Sequence, residues 1–380
     1  MTLSRRHFLL STAVAALPRF AFAQAATEKR FIFIIQRGAA DGLHTVIPYA
    51  DPAYARLRAG LAVDAGLAHK LDGSFALHPA LSGLADIYRA GQACVFHAVA
   101  SPYRDRSHFD GQNVLETGSQ APYAIKDGWM NRLVAMRPGL GKSAIAFAAT
   151  VPLALRGQVD VTSYAPSALP LVNDDLMMRV EQLYANDAQL HALWSTARQA
   201  RDMAGITGGK DKQTSADLGK MAGGFLARAD GPRIAMIETM GWDTHSAQAD
   251  RLGAQLGNLD KLIAGLREGL GAAWDQTVIL VATEFGRTVA VNGTAGTDHG
   301  TGAVAMLIGG AVQGGRIIAD WPGLAPADLL DQRDLRPTLA LDALIAQTCA
   351  EVFATEPDLM VRTLFPGSGK SAALPRLLRV

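Results

Sequence analysis

Short apolar runs without polar alternation recur along the chain, a pattern typical of strands buried on both faces of a sheet. These runs span residues 31–35, 93–99, 144–147, 234–237, 278–282 and 304–308. Helical spacing separates most of them, over residues 81–88, 109–116, 175–203 and 252–274. In the last segment, leucine and isoleucine recur every three or four residues, as on a helix laid against a core. Strands separated by helices predict an α/β fold, with a doubly wound, mostly parallel sheet and helices on both faces.

The first residues carry the pattern of an export signal. Two adjacent arginines, Arg5 and Arg6, precede a short apolar run, and small residues that suit a cleavage site end at Ala23. We expect residues 1–23 to be a twin-arginine signal peptide, and the protein to be periplasmic or secreted through that pathway. The apolar run is well short of the roughly 20 residues that cross a bilayer. We therefore expect no membrane span after signal cleavage.

The mature segment, residues 24–380, is expected to form one α/β domain with a helical insert around 151–230. Of 36 Lys and Arg residues, three lie in the signal, which leaves 33 against 35 Asp and Glu. This near-neutral balance argues against a nucleic-acid partner, which usually requires a basic excess. The two cysteines, Cys94 and Cys349, lie in apolar segments and are expected to be buried free thiols.

Polar side chains follow the ends of several predicted strands, where the active groups of parallel α/β sheets gather. They are Asp41 after the first strand, Asp243 and His245 after 234–237, Glu284 and Arg287 after 278–282, and Asp298 and His299 in a later loop. Carboxylates and imidazoles together suit a divalent cation such as Zn, Mn, Mg or Ca. Each residue alone also has an ordinary structural explanation, such as capping, ion pairing or a satisfied hydrogen bond. Their shared position beyond strand ends favours a metal site.

A second candidate is the segment that begins at Ser107, after the strand 93–99. Ser107 with Asp110 fits the start of a helix, where a serine caps the first turn. The same position suits a nucleophile, because the positive end of a helix dipole also attracts phosphate or sulfate. Both interpretations remain open from the sequence. Three arginines, Arg37, Arg106 and Arg287, offer guanidinium groups for an oxyanion.

Several ordered motifs resemble the DUF1501 family of exported bacterial proteins, grouped with the alkaline phosphatase and sulfatase superfamily. They are Arg37-Gly-Ala-Ala-Asp41-Gly, Ser107-His-Phe-Asp110, Glu116-Thr-Gly118, Gly241-Trp-Asp-Thr-His245, Thr283-Glu-Phe-Gly-Arg-Thr288 and Thr297-Asp-His-Gly300. The resemblance implies an alkaline phosphatase-like fold with a metal site at the strand ends. It implies that Ser107 is the nucleophile and that Asp41 bridges two metals.

The same resemblance implies that Asp243, His245 and His299 are metal ligands, and it marks one departure. Glu284 falls where the superfamily has an Asp-His pair, and Phe285 occupies the position of that histidine. One ligand is therefore absent. One metal in place of two, a substitute ligand from Asp298 or His108, or a site that has lost hydrolysis would each explain the departure.

These observations lead to one leading hypothesis and one alternative. The leading hypothesis is an exported metal-dependent hydrolase of phosphate or sulfate esters, acting on a small anionic ester substrate. Asp41, Asp243, His245, Glu284, Asp298 and His299 would supply the metal site, Ser107 would attack, and Arg287 would stabilise the departing charge. The alternative is a non-catalytic binding or assembly module that works with a DUF1800-type partner protein. The substrate, the metal and the oligomeric state stay open.

Overall fold

The computed structural model describes residues 28–137, 144–165, 213–369 and 374–379, together with a few positions between 180 and 194. The expected signal peptide, residues 1–23, lies outside the described residues. So do most of the predicted helix over 175–203 and much of the expected insert around 151–230. Within the described ranges, all six apolar runs form strands, as the sequence pattern predicts.

A nine-stranded sheet organises the chain, and a small three-stranded sheet lies apart from it. Along the chain, the strands are β1 (Arg30–Gln36), β2 (Val46–Ile47), β3 (His69–Lys70), β4 (Ala76–Leu77), β5 (Ala93–Ala100), β6 (Ala144–Phe147), β7 (Thr162–Ser163), β8 (Ile234–Thr239), β9 (Thr277–Ala282), β10 (Ala303–Ile308), β11 (Arg316–Ile318) and β12 (Leu339–Ala340). The large sheet runs in the order β11-β5-β10-β9-β1-β8-β6-β7, with β12 also paired to β5. Among the described strands of the large sheet, only β10 pairs antiparallel with its neighbours, so the prediction of a mostly parallel sheet is confirmed.

Helices cover both faces of this sheet, which confirms the doubly wound arrangement. They are α1 (Gly42–Thr45), α2 (Tyr54–Arg58), α3 (Ser82–Arg89), α4 (His108–Thr117), α5 (Trp129–Ala135), α6 (Ser215–Ala227), α7 (Gln248–Leu270), α8 (Leu341–Val352) and α9 (Pro357–Leu364). Phe31 and Phe33 of β1 pack on one side with α5, α8 and α9, while Ile32 and Ile34 pack on the other with α3, α6 and α7. None of the helices in the described ranges combines the length and apolar character needed to span a bilayer.

Two helices on one face, α6 and α7, approach each other closely through glycines. A β-carbon on Gly265 would collide with the carbonyl of Ala216, and one on Gly219 would collide with the carbonyl of Leu262. Glycine at these positions lets the two backbones touch. The contact fixes α7, whose first residue, Gln248, lies at the carboxyl-terminal edge of the sheet.

We expect Gly265→Ala to destabilise the fold by about 1–3 kcal/mol, because the added methyl group overpacks the α6–α7 contact. Gly257 is the matched control, since it lies in the same helix and a β-carbon there would meet nothing within 4 Å. Gly257→Ala should stabilise by up to about 1 kcal/mol through helix propensity. Urea unfolding of both variants measures the difference. Equal stabilities would show that the helix contact tolerates side chains.

Candidate metal centre

Titratable side chains from four parts of the chain meet at the carboxyl-terminal edge of the sheet. His108 begins α4, Asp243 and His245 lie between β8 and α7, and Glu284 follows β9 directly. The loop between β9 and β10 supplies Asp298 and His299. This is the edge at which ligands bind in open α/β sheets. The structure therefore places five of the residues predicted beyond strand ends at this edge, together with His108.

Three histidine Nε2 atoms converge on a single carboxylate oxygen, Oδ1 of Asp243. The separations are 3.5 Å from His108, 3.1 Å from His245 and 3.6 Å from His299. The Nε2 atoms of His245 and His299 are themselves 2.9 Å apart. Asp243 and His245 are close to half exposed, at 46% and 43% of their side chains, so the cluster opens to solvent.

Each of these imidazoles is oriented by an acceptor at its other nitrogen. Nδ1 of His108 lies 2.8 Å from Oε1 of Glu284, and Nδ1 of His245 lies 3.1 Å from Oδ1 of Asp298. Nδ1 of His299 lies 2.8 Å from the carbonyl oxygen of Arg106. A carbonyl and an ionised carboxylate only accept hydrogen bonds, so Nδ1 carries the proton in all three rings. The Nε2 lone pairs are then left facing one another.

This arrangement fits a divalent cation. Ligand atoms of a tetrahedral zinc site are roughly 3.3 Å apart for bonds of about 2.0 Å, close to the separations around Asp243. Nε2 of His108 is buried without a hydrogen-bond partner, which is costly unless a ligand engages it. The Nε2 atoms of His245 and His299, 2.9 Å apart, need a proton or a metal cation between them. Acceptors behind ligating histidines are the usual support of metal sites.

The electrostatics of the cluster keep the carboxylates charged. Burial raises the pKa of Glu284, but hydrogen bonds from His108 and Gln112 lower it more, and the net pKa lies below its ordinary value. For Asp243, burial likewise raises the pKa, and Arg287 outweighs that effect. Burial lowers the pKa of His108, whereas the hydrogen bond and charge of Glu284 raise it above its ordinary value. Both carboxylates are thus acceptors at neutral pH.

Two predicted ligands, Glu284 and Asp298, have a different position from the one expected. Their oxygens bond the Nδ1 atoms of His108 and His245, behind the rings, so they orient ligands and do not face the shared space. His108 takes a place in the cluster that the sequence offered only as a substitute. Phe285, which replaces the expected histidine, stacks on His108 with ring centroids 5.1 Å apart, and its centroid lies 5.4 Å from that of His299.

Asp41, which the resemblance implies as a bridging metal ligand, has other partners in the structure. Asp41 is buried and forms an ion pair with Arg58, which is also buried. Its carboxylate also accepts from the Gln248 amide at 2.7 Å, the backbone N–H of His44 at 3.2 Å and the Thr297 hydroxyl at 3.4 Å. Burial raises its pKa, but Arg58 outweighs that effect and lowers the pKa to about 2. A carboxylate neutralised by arginine has no need of a metal.

Arg287 also differs from the prediction, because its guanidinium is buried and fully occupied. It donates to the carbonyl oxygens of Gly38, Ala39 and Thr297 and to the carboxylate of Asp243. It therefore holds the Asp243 side chain in place and is not free to stabilise a departing charge.

A close backbone approach supports the same carboxylate. Gly38 has φ +119°, and a β-carbon there would lie 2.6 Å from the Asp243 nitrogen. Only glycine both adopts this φ freely and leaves room for the Asp243 backbone.

The two other arginines offered for an oxyanion are also paired. Arg37 bonds Glu116 and Glu238, and Arg106 bonds Asp331 and Asp334. No arginine of this trio therefore presents a free guanidinium to the cluster.

Ser107 occupies the N-cap position of α4 but makes no capping hydrogen bond with its side chain. Its backbone has the extended conformation of a cap, and the next residue is the cluster histidine His108. The preceding residue, Arg106, is in the left-handed region with φ 59°, a strained conformation for a residue other than glycine. The expected cap bond is thus absent, which leaves the nucleophile interpretation of Ser107 as a prediction.

Comparison with known families identifies part of the chain. Residues 170–355 match the DUF1501 family, described as a protein of unknown function. The resemblance seen in the motifs is confirmed over that range. The DUF1501 segment contains Asp243, His245, Glu284 and the 298–299 pair, whereas Ser107 and His108 lie on its N-terminal side. No curated protein matches the chain.

Solved structures similar to the chain include proteins of the alkaline phosphatase superfamily. Ps i-CgsB in complex with k-i-k-neocarrahexaose is 11% identical, with a TM-score of 0.44 over 88% of this chain and 74% of that one. The C-terminal periplasmic domain of EcEptC from Escherichia coli, in complex with Zn, is 11% identical, with a TM-score of 0.38 over 76% and 74%. A protein in the alkaline phosphatase superfamily from Vibrio parahaemolyticus is 13% identical, with a TM-score of 0.38 over 75% and 60%. All three similarities are distant.

Proposed function

We propose that the protein is a metal-dependent hydrolase whose cation is held by His108, Asp243, His245 and His299. The observation that carries the proposal is the convergence of three Nε2 atoms on Oδ1 of Asp243. Three imidazoles favour zinc or a similar transition metal over magnesium or calcium, which prefer oxygen ligands. A divalent cation bound there supplies Lewis acidity to a substrate oxygen.

We further propose phosphate or sulfate monoesters as the substrate class. The three nitrogen ligands are neutral, so with Asp243 the loaded centre keeps a positive charge that favours an anionic ester. Ser107 is the candidate nucleophile, because its hydroxyl makes no capping bond and it adjoins His108 at the start of a ten-residue helix. Its Oγ bonds the phosphorus or sulfur, the ester oxygen departs, and the serine proton ends on the departing alcohol. Water then releases the group from Ser107.

The remaining residues position this machinery. Glu284 and Asp298 fix the orientation of His108 and His245, and Arg287 fixes Asp243. The export predicted from the N-terminal sequence is compatible with this function, because twin-arginine substrates cross the membrane folded and can carry a cofactor.

We expect Ser107→Ala to lower the hydrolysis of aryl phosphate or aryl sulfate by about a thousandfold or more, as loss of a nucleophile does. The assay compares zinc-loaded wild type, Ser107→Ala and the control Ser74→Ala, which alters an exposed loop residue. Zinc content is measured on all three proteins. Zinc-loaded wild type that turns over neither ester would contradict the proposal. Full activity in Ser107→Ala would mean that water, and not Ser107, attacks the ester.

A second candidate is a binding module that works with a DUF1800-type partner. The observation in its favour is a set of exposed large apolar side chains near the same edge, at Phe109, Tyr123 and Met240. Measuring the biological effect of Ser107→Ala beside its hydrolysis separates the two candidates, because a binding module retains that effect in the variant.

A further inference from the structure

One buried amide, the side chain of Gln248, lies beneath the metal centre and contacts both loops that supply its ligands. Oε1 accepts hydrogen bonds from the hydroxyls of Thr244, at 3.0 Å, and Thr297, at 2.6 Å. Thr244 stands between Asp243 and His245, and Thr297 immediately precedes the 298–299 pair. Oε1 of Gln248 therefore bonds to both loops at once.

The other end of the amide is anchored in the core. Nε2 of Gln248 donates to Oδ2 of Asp41 at 2.7 Å, and Asp41 is held by the buried guanidinium of Arg58. These partners also fix which end of the amide is the oxygen, because the carboxylate only accepts hydrogen bonds and both hydroxyls donate. Gln248, Thr244 and Thr297 are all fully buried. Water cannot replace a lost bond at such positions without entering the core.

Backbone contacts bind the same two loops to each other. The N–H of Gln248 donates to Ala295 at 2.9 Å, and the N–H of Thr297 donates to Thr244 at 3.3 Å. The residue before Gln248, Ala247, has φ 46° and ψ 45°, a strained left-handed conformation. Strain of this kind persists only where the surrounding contacts determine the backbone.

We propose that Gln248 is a positioning residue that sets the spacing between the Asp243–His245 loop and the Asp298–His299 loop. The expected effect on metal affinity rests on the proposed function. The coupling of the two loops rests on the hydrogen bonds alone. A glutamine is required because one side chain must donate to a carboxylate and accept from two hydroxyls.

The test uses two kinds of substitution in the full chain. Gln248→Met keeps the length and removes the amide. Thr297→Val removes only one hydroxyl, and its matched control Thr297→Ser keeps it. Zinc affinity is measured by competition with a chromophoric chelator. Amide hydrogen exchange in residues 243–248 and 292–299 is measured on chelator-treated, metal-free protein.

We expect zinc affinity to fall by about 10- to 100-fold in Gln248→Met and Thr297→Val, the range for supporting groups of metal ligands. Exchange should become faster in both loops, while Thr297→Ser should behave as wild type. If Gln248→Met does not fold, the Thr297 pair gives the same comparison. Wild-type affinity together with unchanged exchange in Thr297→Val would overturn the inference.

A wild-type protein that binds no zinc would contradict the proposed function. The exchange data alone would then test whether Gln248 couples the two loops. Faster exchange in both loops of Thr297→Val, with Thr297→Ser unchanged, supports the positioning role of Gln248. Faster exchange confined to the 292–299 loop overturns it.

Discussion

His299→Ala will reduce zinc affinity by more than about a hundredfold, whereas Glu284→Gln will reduce it by about 10- to 100-fold. The first change removes an Nε2 atom that lies 2.9 Å from Nε2 of His245 and 3.6 Å from Oδ1 of Asp243. The second keeps all four ligand atoms and weakens the acceptor behind His108, which also accepts from the N–H of Gly38 and the amide of Gln112. Loss of a direct ligand should therefore weaken zinc binding measurably more than loss of the acceptor that supports a ligand.

Competition with a chromophoric chelator at fixed pH measures both affinities on protein stripped of metal and reloaded. His69→Ala is the control, because that ring bonds the carbonyl of Pro79 at 3.1 Å and belongs to the small sheet. Thermal unfolding in excess chelator checks that the fold of each variant is intact. If His299→Ala bound zinc as tightly as wild type, the convergent histidines would not be the metal site. Equal losses in both variants would make Glu284 a direct ligand.

The six longer strands of the large sheet could be predicted from sequence, because their residues are almost all buried and form nearly continuous apolar runs. The short strands β2, β3, β4, β7, β11 and β12 were not predicted, because two or three residues carry no periodic pattern. The parallel or antiparallel direction of a strand could not be predicted in the same way. The run at 304–308 resembles the others, yet β10 pairs antiparallel with both β5 and β9. Strand direction depends on how the intervening chain crosses the sheet, and the loop of residues 283–302 returns without a crossover helix. Local hydrophobicity does not encode that difference.

Part of the site could also be predicted from a local sequence pattern. Asp243 and His245 are two residues apart in an extended segment, and their side chains do reach the same point, 3.1 Å from atom to atom. His108 was harder to predict, because the sequence around it indicates only the start of a helix. Its Nε2 lies 3.5 Å from Oδ1 of Asp243 through the fold of the chain, which the local sequence does not show. A histidine that directly follows a candidate nucleophile could have been weighed more heavily.

The buried ion pair of Asp41 could not be predicted, for a separate physical reason. A carboxylate after the first strand looks like a ligand until its counter-ion is known, and that counter-ion, Arg58, is seventeen positions away on α2. Nothing in the sequence around Arg58 distinguishes it from a surface arginine. The same holds for Arg287, whose partners are mainly backbone carbonyls. Sequence patterns carry little information on contacts of that kind.

Arg58→Met will destabilise the metal-free protein by about 3–5 kcal/mol, because it leaves the Asp41 carboxylate buried without its counter-charge. Asp41→Asn, which leaves the guanidinium buried instead, should cost a similar amount. The double variant removes both charges and keeps an oxygen for Gln248 and for the backbone N–H of His44. Its cost should fall well below the sum of the two single costs. Urea unfolding in chelator measures all four proteins, and additive costs would show that the pair contributes no coupling.

The pH dependence of the same ion pair gives an independent measurement. The pKa of Asp41 is lowered from 3.8 to about 2 in the folded protein, where the effect of Arg58 exceeds that of burial. A depressed carboxylate pKa contributes stability that is fully present above the unfolded value and is lost as pH falls through the folded value. The stability difference between wild type and Asp41→Asn should therefore be constant above about pH 5 and shrink steadily toward pH 2. A difference that stays constant down to pH 2 would mean that Asp41 has the same pKa in the folded and unfolded protein, so that Arg58 does not stabilise its charge. A difference that grows as the pH falls would mean that Asp41 is protonated in the core.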